Sequence, residues 1–299
     1  VLAIVGTVPD ESLGITEGRV SLSSGILKID AVEVEVCRGT PALMAAACVV
    51  SEVLGLPKPY ALIAGDIGSG SGSRKLYRHL TSALPSLSPG VVVFHYLLPD
   101  VDWHTRIAFA IEEIAPRPVL IADAGYMYAA KMSGQASIYD LFTPDAGELA
   151  FLADEDAPHP SYTRGFLLQS HLDVPELIYR AYSKGNAAKF LMVKGQPDYI
   201  VSNGEIIHKV ESPCVEVMEA IGGTGDTLTG IAGALIFAGI HLPTACLLAA
   251  KINRLAGFHA NLTPASQIRE LISAIPASTE ALIKELQKNS PTLSAGKKN

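Results

Sequence analysis

The residues best suited to chemistry lie in one short stretch, Gly222, Gly223, Thr224, Gly225, Asp226, Thr227, Leu228, Thr229 and Gly230. Leu228, Ile231, Ala232 and Leu235 follow at helical spacing, so the glycines precede a helix N-terminus. The free N–H groups and positive dipole end there attract anions, and glycine lets a phosphate approach the backbone. A carboxylate in such a pocket repels phosphate unless it has a task. General-base catalysis gives Asp226 one: it takes the proton of a hydroxyl that attacks a phosphoryl group, while the N–H groups of Gly223, Thr224 and Gly225 hold the transferred charge. The plainer alternative is that Thr224 caps the helix and Asp226 complements its dipole. Three glycines in four residues cost chain entropy that a simple cap does not require, which favours the anion pocket. The P-loop lysine is missing, so this is not a Walker A motif.

Further candidates stand where the chain leaves predicted strands, the place at which open α/β sheets bind ligands. Asp66, Asp123, the group Thr143, Asp145 and Glu148, and Lys194 all fall there. Lys194 can reach a nucleotide phosphate together with Gly222 to Gly225, or stand exposed at the start of a hairpin. Glu148 suits Mg²⁺ held through water beside phosphate oxygens. Asp66, Asp123 and Asp145 are candidates for the substrate side. The run Gly65 to Ser73 also joins a strand to a helix, but its glycines miss the dinucleotide pattern, which leaves a nicotinamide oxidoreductase weakly supported. It reads equally as a loop over a site or as a structural turn. Arg74 beyond it is a phosphate contact or a solvated surface residue. The eight histidines show no metal-ligand spacing.

The elements that must position these groups alternate. Residues 1–36 read as strands and turns, with Ile26 to Val36 one half-exposed strand, suited to pairing between subunits of a homo-oligomer. Thr40 and Pro41 supply an N-cap and first-turn proline for a helix to Leu54. Strands Tyr60 to Ala64, Val91 to His95 and Val119 to Ala122 then alternate with helices Arg74 to Leu84 and Trp103 to Ile114. A short strand Leu141 to Thr143, a helix Asp145 to Leu152, an irregular segment from Asp154 to Arg164 and a helix Val174 to Lys184 follow. Phe190 to Lys194, Tyr199 to Ser202 and Ile206 to Val210 read as a strand plus hairpin turning at Asn203 and Gly204. Residues from Gly225 to Gln287 are nearly all helical. This pattern predicts an α/β fold with a mostly parallel sheet covered on both faces. We expect one domain over 1–288 and a loose polar tail over 289–299.

Composition narrows the class. Hydrophobic residues make up 48% and charged residues 18% of 299, with Gly 26 and Pro 19, which excludes a disordered or fibrous chain. A net charge of −7 without a basic block argues against nucleic acid or an anionic membrane as partner and for a small-molecule substrate. Cys37, Cys48, Cys214 and Cys246 match no metal, redox or disulfide framework and read as reduced, mostly buried thiols. Val1 to Val8 is too short for a signal sequence, and no run reaches the ~20 apolar residues of a membrane span, so a cytoplasmic location is expected.

With these residues in hand, the chain resembles the ribokinase-like superfamily, and within it the ADP/ATP-dependent NAD(P)H-hydrate dehydratases of the carbohydrate-kinase-like branch. Thr143-Pro144-Asp145-Ala146-Gly147-Glu148, Val193-Lys194-Gly195 and Gly222 through Gly230 carry the resemblance in order and spacing, over roughly residues 115 to 260. Thiamine-precursor kinases of the superfamily often have Cys at the position of Asp226, which favours the dehydratase branch. The resemblance implies a three-layer α/β/α sandwich, Asp226 as acid/base in an anion hole, Glu148 supporting Mg²⁺ and phosphate, and Lys194 near ADP or ATP. It also implies repair of NAD(P)H hydrate by phosphorylation of the added hydroxyl and loss of phosphate. The chain departs from the branch at Asp145, where His is usual, at Ala122-Asp123-Ala124-Gly125, where Asp-Ala-Asp is usual, and at Ser212 to Glu219, where glycines are usual. Its N-terminal third is only faintly alike, at Gly39 to Ala47 and at the Gly65 loop. The alternatives are an ATP-dependent kinase of a sugar or other small hydroxylated metabolite, and a non-catalytic nucleotide sensor.

Overall fold

The computed structural model describes residues 1–154 and 173–289. The part of the expected irregular segment from 155 on, and the tail from 290 on, lie outside the described residues. Eleven strands and nine helices are present among the described residues. The strands are β1 (Leu2–Val8), β2 (Thr16–Ser23), β3 (Ile26–Ile29), β4 (Val32–Glu35), β5 (Tyr60–Gly65), β6 (Val91–His95), β7 (Val119–Ala122), β8 (Leu141–Phe142), β9 (Phe190–Val193), β10 (Asp198–Ser202) and β11 (Glu205–Val210). The helices are α1 (Thr40–Val53), α2 (Ser71–Leu87), α3 (Val101–Glu112), α4 (Gly125–Met132), α5 (Ala146–Ala153), α6 (Val174–Ser183), α7 (Thr224–Phe237), α8 (Leu242–His259) and α9 (Ile268–Asn289).

All strands join one sheet in the order β11-β10-β9-β8-β7-β6-β1-β5-β2-β3-β4. The six central strands from β9 to β5 are parallel, and antiparallel strands extend both flanks. β1 alternates its buried side chains between the layers: Leu2 and Ile4 face the core under α1, α7, α8 and α9, while Ala3 and Val5 face the core under α2 to α6. This is the three-layer sandwich, and it places the C-terminal ends of β1, β5, β6, β7, β8 and β9 along one edge.

Three local expectations change. The stretch Ile26 to Val36 is a hairpin, not one strand: Ile29 pairs with Val32, and Asp30 at the turn has φ 52°. A two-residue turn keeps the alternating pattern in phase, so the sequence could not reveal it. The resulting edge strand β4 exposes Glu33 and Glu35, charges of the kind that discourage edge pairing. Thr40 is not an N-cap. Gly39 holds that position with φ 79° and no capping side chain, and Thr40 is buried inside the first turn. Helix α4, unassigned in the sequence, begins directly after Ala122-Asp123-Ala124. The hairpin turn at Asn203 and Gly204 is as expected, with φ 48° and 90°. All four cysteines are free, and Cys37 and Cys214 are exposed, so only half of the set is buried.

Candidate active site

Helix α7 opens at Gly223, whose φ of 108° favours glycine; an added Cβ would lie 2.9 Å from Ile268 Cγ1 and 3.3 Å from the Arg38 backbone. No side chain caps this helix, so its first-turn N–H groups have neither an intrahelical partner nor a capping oxygen. Thr224 does not cap it. Its hydroxyl donates backward to the carbonyls of Met218 (3.1 Å) and Ile221 (3.3 Å). The other threonines of the motif fasten the helix. Thr227 donates to Asn253 Oδ1 on α8 (2.8 Å), and Thr229 donates to Asp123 Oδ2 (2.7 Å) at the end of β7.

Asp226 turns inward from this first turn. Its Oδ2 accepts the Gly39 N–H at 2.6 Å, and its Oδ1 lies 3.0 Å from His95 Nε2. A carboxylate only accepts, so Nε2 carries the proton of that bond. The other ring nitrogen lies 2.9 Å from Thr40 Oγ1. Burial opposes the Asp226 charge, but the His95 hydrogen bond and charge, Lys194 and the Gly39 N–H outweigh it and hold the carboxyl at about 2. It is therefore ionised at neutral pH.

Asp123 is the second buried carboxylate. Its Oδ1 accepts Lys194 Nζ at 2.8 Å, and Oδ2 lies 3.9 Å from His95 Nε2. Lys194 is not an exposed lysine at a hairpin: its side chain is only 13% exposed and lies against Gly225, where an added Cβ would meet Lys194 Cδ at 3.4 Å. Burial works against the ammonium, yet Asp123 and Glu148 more than compensate and raise its pKa above the usual lysine range. His95, absent from the sequence-based candidates, thus joins Asp123 and Asp226 with potential ligand atoms within 4.8 Å of one another. Each carboxylate oxygen of that set is already engaged, by Gly39, His95, Lys194 or Thr229, so the set serves as a hydrogen-bond network.

Asp145 and Glu148 form a reciprocal capping box at the start of α5, with Asp145 Oδ1 accepting Glu148 N–H (2.8 Å) and Glu148 Oε2 accepting Asp145 N–H (2.9 Å). Asp145 is exposed and Glu148 half-buried. Burial raises the Glu148 pKa, and the charges of Asp123 and Asp145 add to that against the pull of Lys194. A carboxyl in that state is relieved by a nearby cation, so Glu148 fits Mg²⁺ bound through water. Behind Lys194, Arg254 donates to Asp198 Oδ2 (2.6 Å) and to the Gly195 carbonyl (2.7 Å), which locks the turn after β9 to α8.

Asp226, Asp123, Lys194, Asp145, Glu148 and Arg254 line one cavity of about 370 Å³, together with Arg38, Tyr96 and Asn253, while His95 lies fully buried behind Asp226. Asp66 stands apart from them. Its carboxylate takes Gly68 N–H (2.9 Å), Gly70 N–H (3.0 Å), Ser73 N–H (2.8 Å) and Ser73 Oγ (2.9 Å). The Gly65 to Ser73 run is therefore a structural turn whose amides are spent on its own aspartate, not on a dinucleotide phosphate. It also explains why α2 begins at Ser71, ahead of the expected Arg74, which is exposed. Asp66 borders a second cavity, of about 600 Å³, which shares Arg38 and Tyr96 with the first. Sequence reasoning missed His95, Arg38 and Tyr96. His95 ends a strand, as Asp66 and Asp123 do, and that signal was available.

The described residues contain no helix long and apolar enough to cross a membrane. Solved structures share the fold: a phosphofructokinase-2 mutant from Escherichia coli (TM-score 0.55, 17% identity, 93% of this chain and 98% of that one) and YxkO from Bacillus subtilis, a UPF0031 family member (0.54, 15%, 93% and 91%). A third is the pyridoxal kinase from Staphylococcus aureus with AMP-PCP and pyridoxal (0.50, 15%, 85% and 87%). The fold is thus ribokinase-like. The NAD(P)H-hydrate dehydratase profile matches residues 98–277, and the chain belongs to that family. It is also 45% identical over 221 residues to MJ1337, an uncharacterised protein of Methanocaldococcus jannaschii, covering 74% of this chain and 90% of that protein.

Proposed function

We propose that the protein is an ADP- or ATP-dependent NAD(P)H-hydrate dehydratase, with the nucleotide phosphates in the 370 Å³ cavity. One observation carries the reading: the uncapped N-terminus of α7, the Lys194 ammonium and an ionised first-turn Asp226 meet in that cavity. Membership of the family supports the dehydratase branch. The N–H groups of Thr224 and Gly225 hold the oxygens of the transferring phosphoryl group, and Lys194 adds a positive charge beside them. Asp226 receives the proton of the hydrate's hydroxyl as the O–P bond forms and the bond to the nucleotide breaks. With its pKa near 2, it accepts that proton late, after bonding to phosphorus has acidified the hydroxyl. Elimination then breaks the ring C–O bond, phosphate leaves with the bonding electron pair, and the neighbouring ring carbon gives its proton to the departing phosphate to restore the double bond. Glu148 would hold Mg²⁺ through water, and the ion supplies charge neutralisation to the phosphates when bound.

A second reading, a small-molecule kinase, uses the same first step without elimination. It is favoured by the second cavity, whose Thr7, Pro9, Arg38 and Tyr96 lie outside the family match at 98–277. Hydrated NADH incubated with ADP or ATP separates the two. The dehydratase regenerates NADH absorbance and releases inorganic phosphate. A stable phosphorylated product without NADH absorbance belongs to the kinase. In either case Asp226→Asn is expected to lower turnover at least ~100-fold, the scale of a general base, with nucleotide affinity nearly unchanged. Unchanged turnover removes Asp226 from the mechanism.

A further inference from the structure

Arg38, Lys194 and Arg254 are the cations that line the 370 Å³ cavity, and two of them are committed. Lys194 Nζ donates to Asp123 Oδ1 at 2.8 Å, and Arg254 divides its donors between Asp198 and the carbonyls of Gly195, Glu211 and Pro213. Arg38 differs. Among the described residues its guanidinium has no hydrogen-bond or ion-pair partner, although Asp226, Asp123, Asp145 and Glu148 line the same cavity. Its planar fork of N–H donors is therefore left to offer, in the geometry that suits phosphate oxygens.

An exposed arginine ordinarily extends into solvent, and Arg38 is exposed. Its stem nevertheless runs along the glycines of the anion pocket. A Cβ added to Gly222 would lie 3.5 Å from Arg38 Cδ and 3.9 Å from its Nε, and one added to Gly223 would lie 3.3 Å from Arg38 Cα. Lys194 lies against the other end of the same motif, at Gly225. The two cations bracket the uncapped α7 N-terminus, one fixed by Asp123 and the other unengaged. Arg38 is also coupled to Asp226 through the chain, since the next residue, Gly39, gives its N–H to that carboxylate at 2.6 Å. With Tyr96 it lines the larger cavity as well, which puts it at the junction of the two.

We propose that Arg38 is a catalytic residue of the phosphoryl transfer: its guanidinium takes the non-bridging oxygens of the phosphoryl group in flight and adds little to the hold on the resting nucleotide. This rests on the nucleotide-dependent function set out above. In the transfer the acceptor oxygen bonds to phosphorus and its proton goes to Asp226. The bond from phosphorus to the bridging oxygen breaks, and its electron pair stays on the departing nucleotide. Arg38 keeps all its protons and donates hydrogen bonds to the phosphoryl oxygens as charge spreads over them. A cation without a carboxylate partner gives up only water to make those bonds, whereas Lys194 shares its charge with Asp123. The place of Arg38 at the junction, and not deep among the groups that hold the nucleotide, confines its contribution to the moving group.

The test titrates the full chain with ADP and Mg²⁺, alone and with aluminium fluoride, whose complex on ADP imitates the group in flight. In the parent the fluoride is expected to tighten ADP binding. Arg38→Met should lose about 10-fold or more of that gain, the scale of one charge-assisted hydrogen bond, with the affinity for ADP alone nearly unchanged. Arg38→Lys, a point charge without the fork, should recover only part of it. A merely structural role would not separate the two titrations. Arg38 is exposed and strands no partner when replaced, so both variants should fold. The proposal is overturned if the fluoride brings no gain in the parent, if Arg38→Met keeps the gain, or if that variant loses affinity for ADP alone to the same extent. If ADP binds neither chain, the nucleotide reading falls, and inorganic pyrophosphate becomes the probe. Weaker pyrophosphate binding to Arg38→Met then keeps Arg38 as a phosphate ligand, and equal or absent binding removes it.

Discussion

The two cavities share Arg38 and Tyr96 and are otherwise opposites. The smaller is crowded with charge: Asp226, Asp123, Lys194 and Glu148 line it, the His95 hydrogen bond and Lys194 keep Asp226 ionised against its burial, and Asp123 and Glu148 keep the Lys194 ammonium charged. The larger has spent Asp66 and Ser73 on a local turn, and it presents Pro9, Leu97, Leu98 and Pro99 beside Tyr96, Tyr128 and Arg38. A site that must stabilise moving charge needs groups fixed before the reaction, whereas a site that only selects a molecule can do so by denying partners to the wrong one.

Three substitutions probe the charged side, beginning with the largest effect. Asp226→Asn is expected to cost at least ~100-fold in turnover while leaving ADP affinity nearly unchanged. A loss of ADP affinity as well would mean that Asp226 serves nucleotide binding and not proton transfer. Lys194→Met comes second. It strands Asp123, which is 1% exposed, beside Glu148, and removal of one member of a buried pair costs about 3 kcal/mol. Urea unfolding measures that loss, and ADP titration of the folded fraction should show weaker binding. A variant as stable as the parent would contradict the network.

Glu148→Gln gives the smallest effect and the opposite sign. The pKa of Glu148 is higher in the folded chain than in the unfolded one, so the folded state keeps the proton longer. Stability is then lost as pH rises above the unfolded value toward the folded one. The neutral glutamine avoids this loss, so the ligand-free variant should be slightly more stable than the parent at pH 7 and no different at pH 4. Mg²⁺ should then improve nucleotide binding less in the variant than in the parent. Equal responses to Mg²⁺ would remove Glu148 from the metal's surroundings.

The same contrast explains what the sequence made legible. The reaction side is written in contiguous strings, Thr143 to Glu148, Val193 to Gly195 and Gly222 to Gly230, and a string can be read without its partners. The parallel sheet was legible for a similar reason, because apolar strands such as Val91 to His95 alternate with helical patterns. His95 escaped because its partner Asp226 is 131 residues away and nothing near it in sequence marks the pairing. The larger cavity is assembled from single residues as far apart as Thr7, Arg38, Leu98 and Tyr128, each unremarkable in its own segment. Asp66, a candidate for the substrate side, does border the larger cavity, but its carboxylate accepts the amides of Gly68, Gly70 and Ser73, a pairing that its position at a strand end did not announce.

The most direct measurement is a crystal structure of the protein grown with ADP and Mg²⁺. The terminal phosphate oxygens are expected within hydrogen-bond distance, about 3 Å, of the Thr224 and Gly225 amides, with Lys194 beside them and Asp226 facing the Gly39 side. A nucleotide bound elsewhere, or an α7 N-terminus holding only solvent at saturating ADP, would contradict the account.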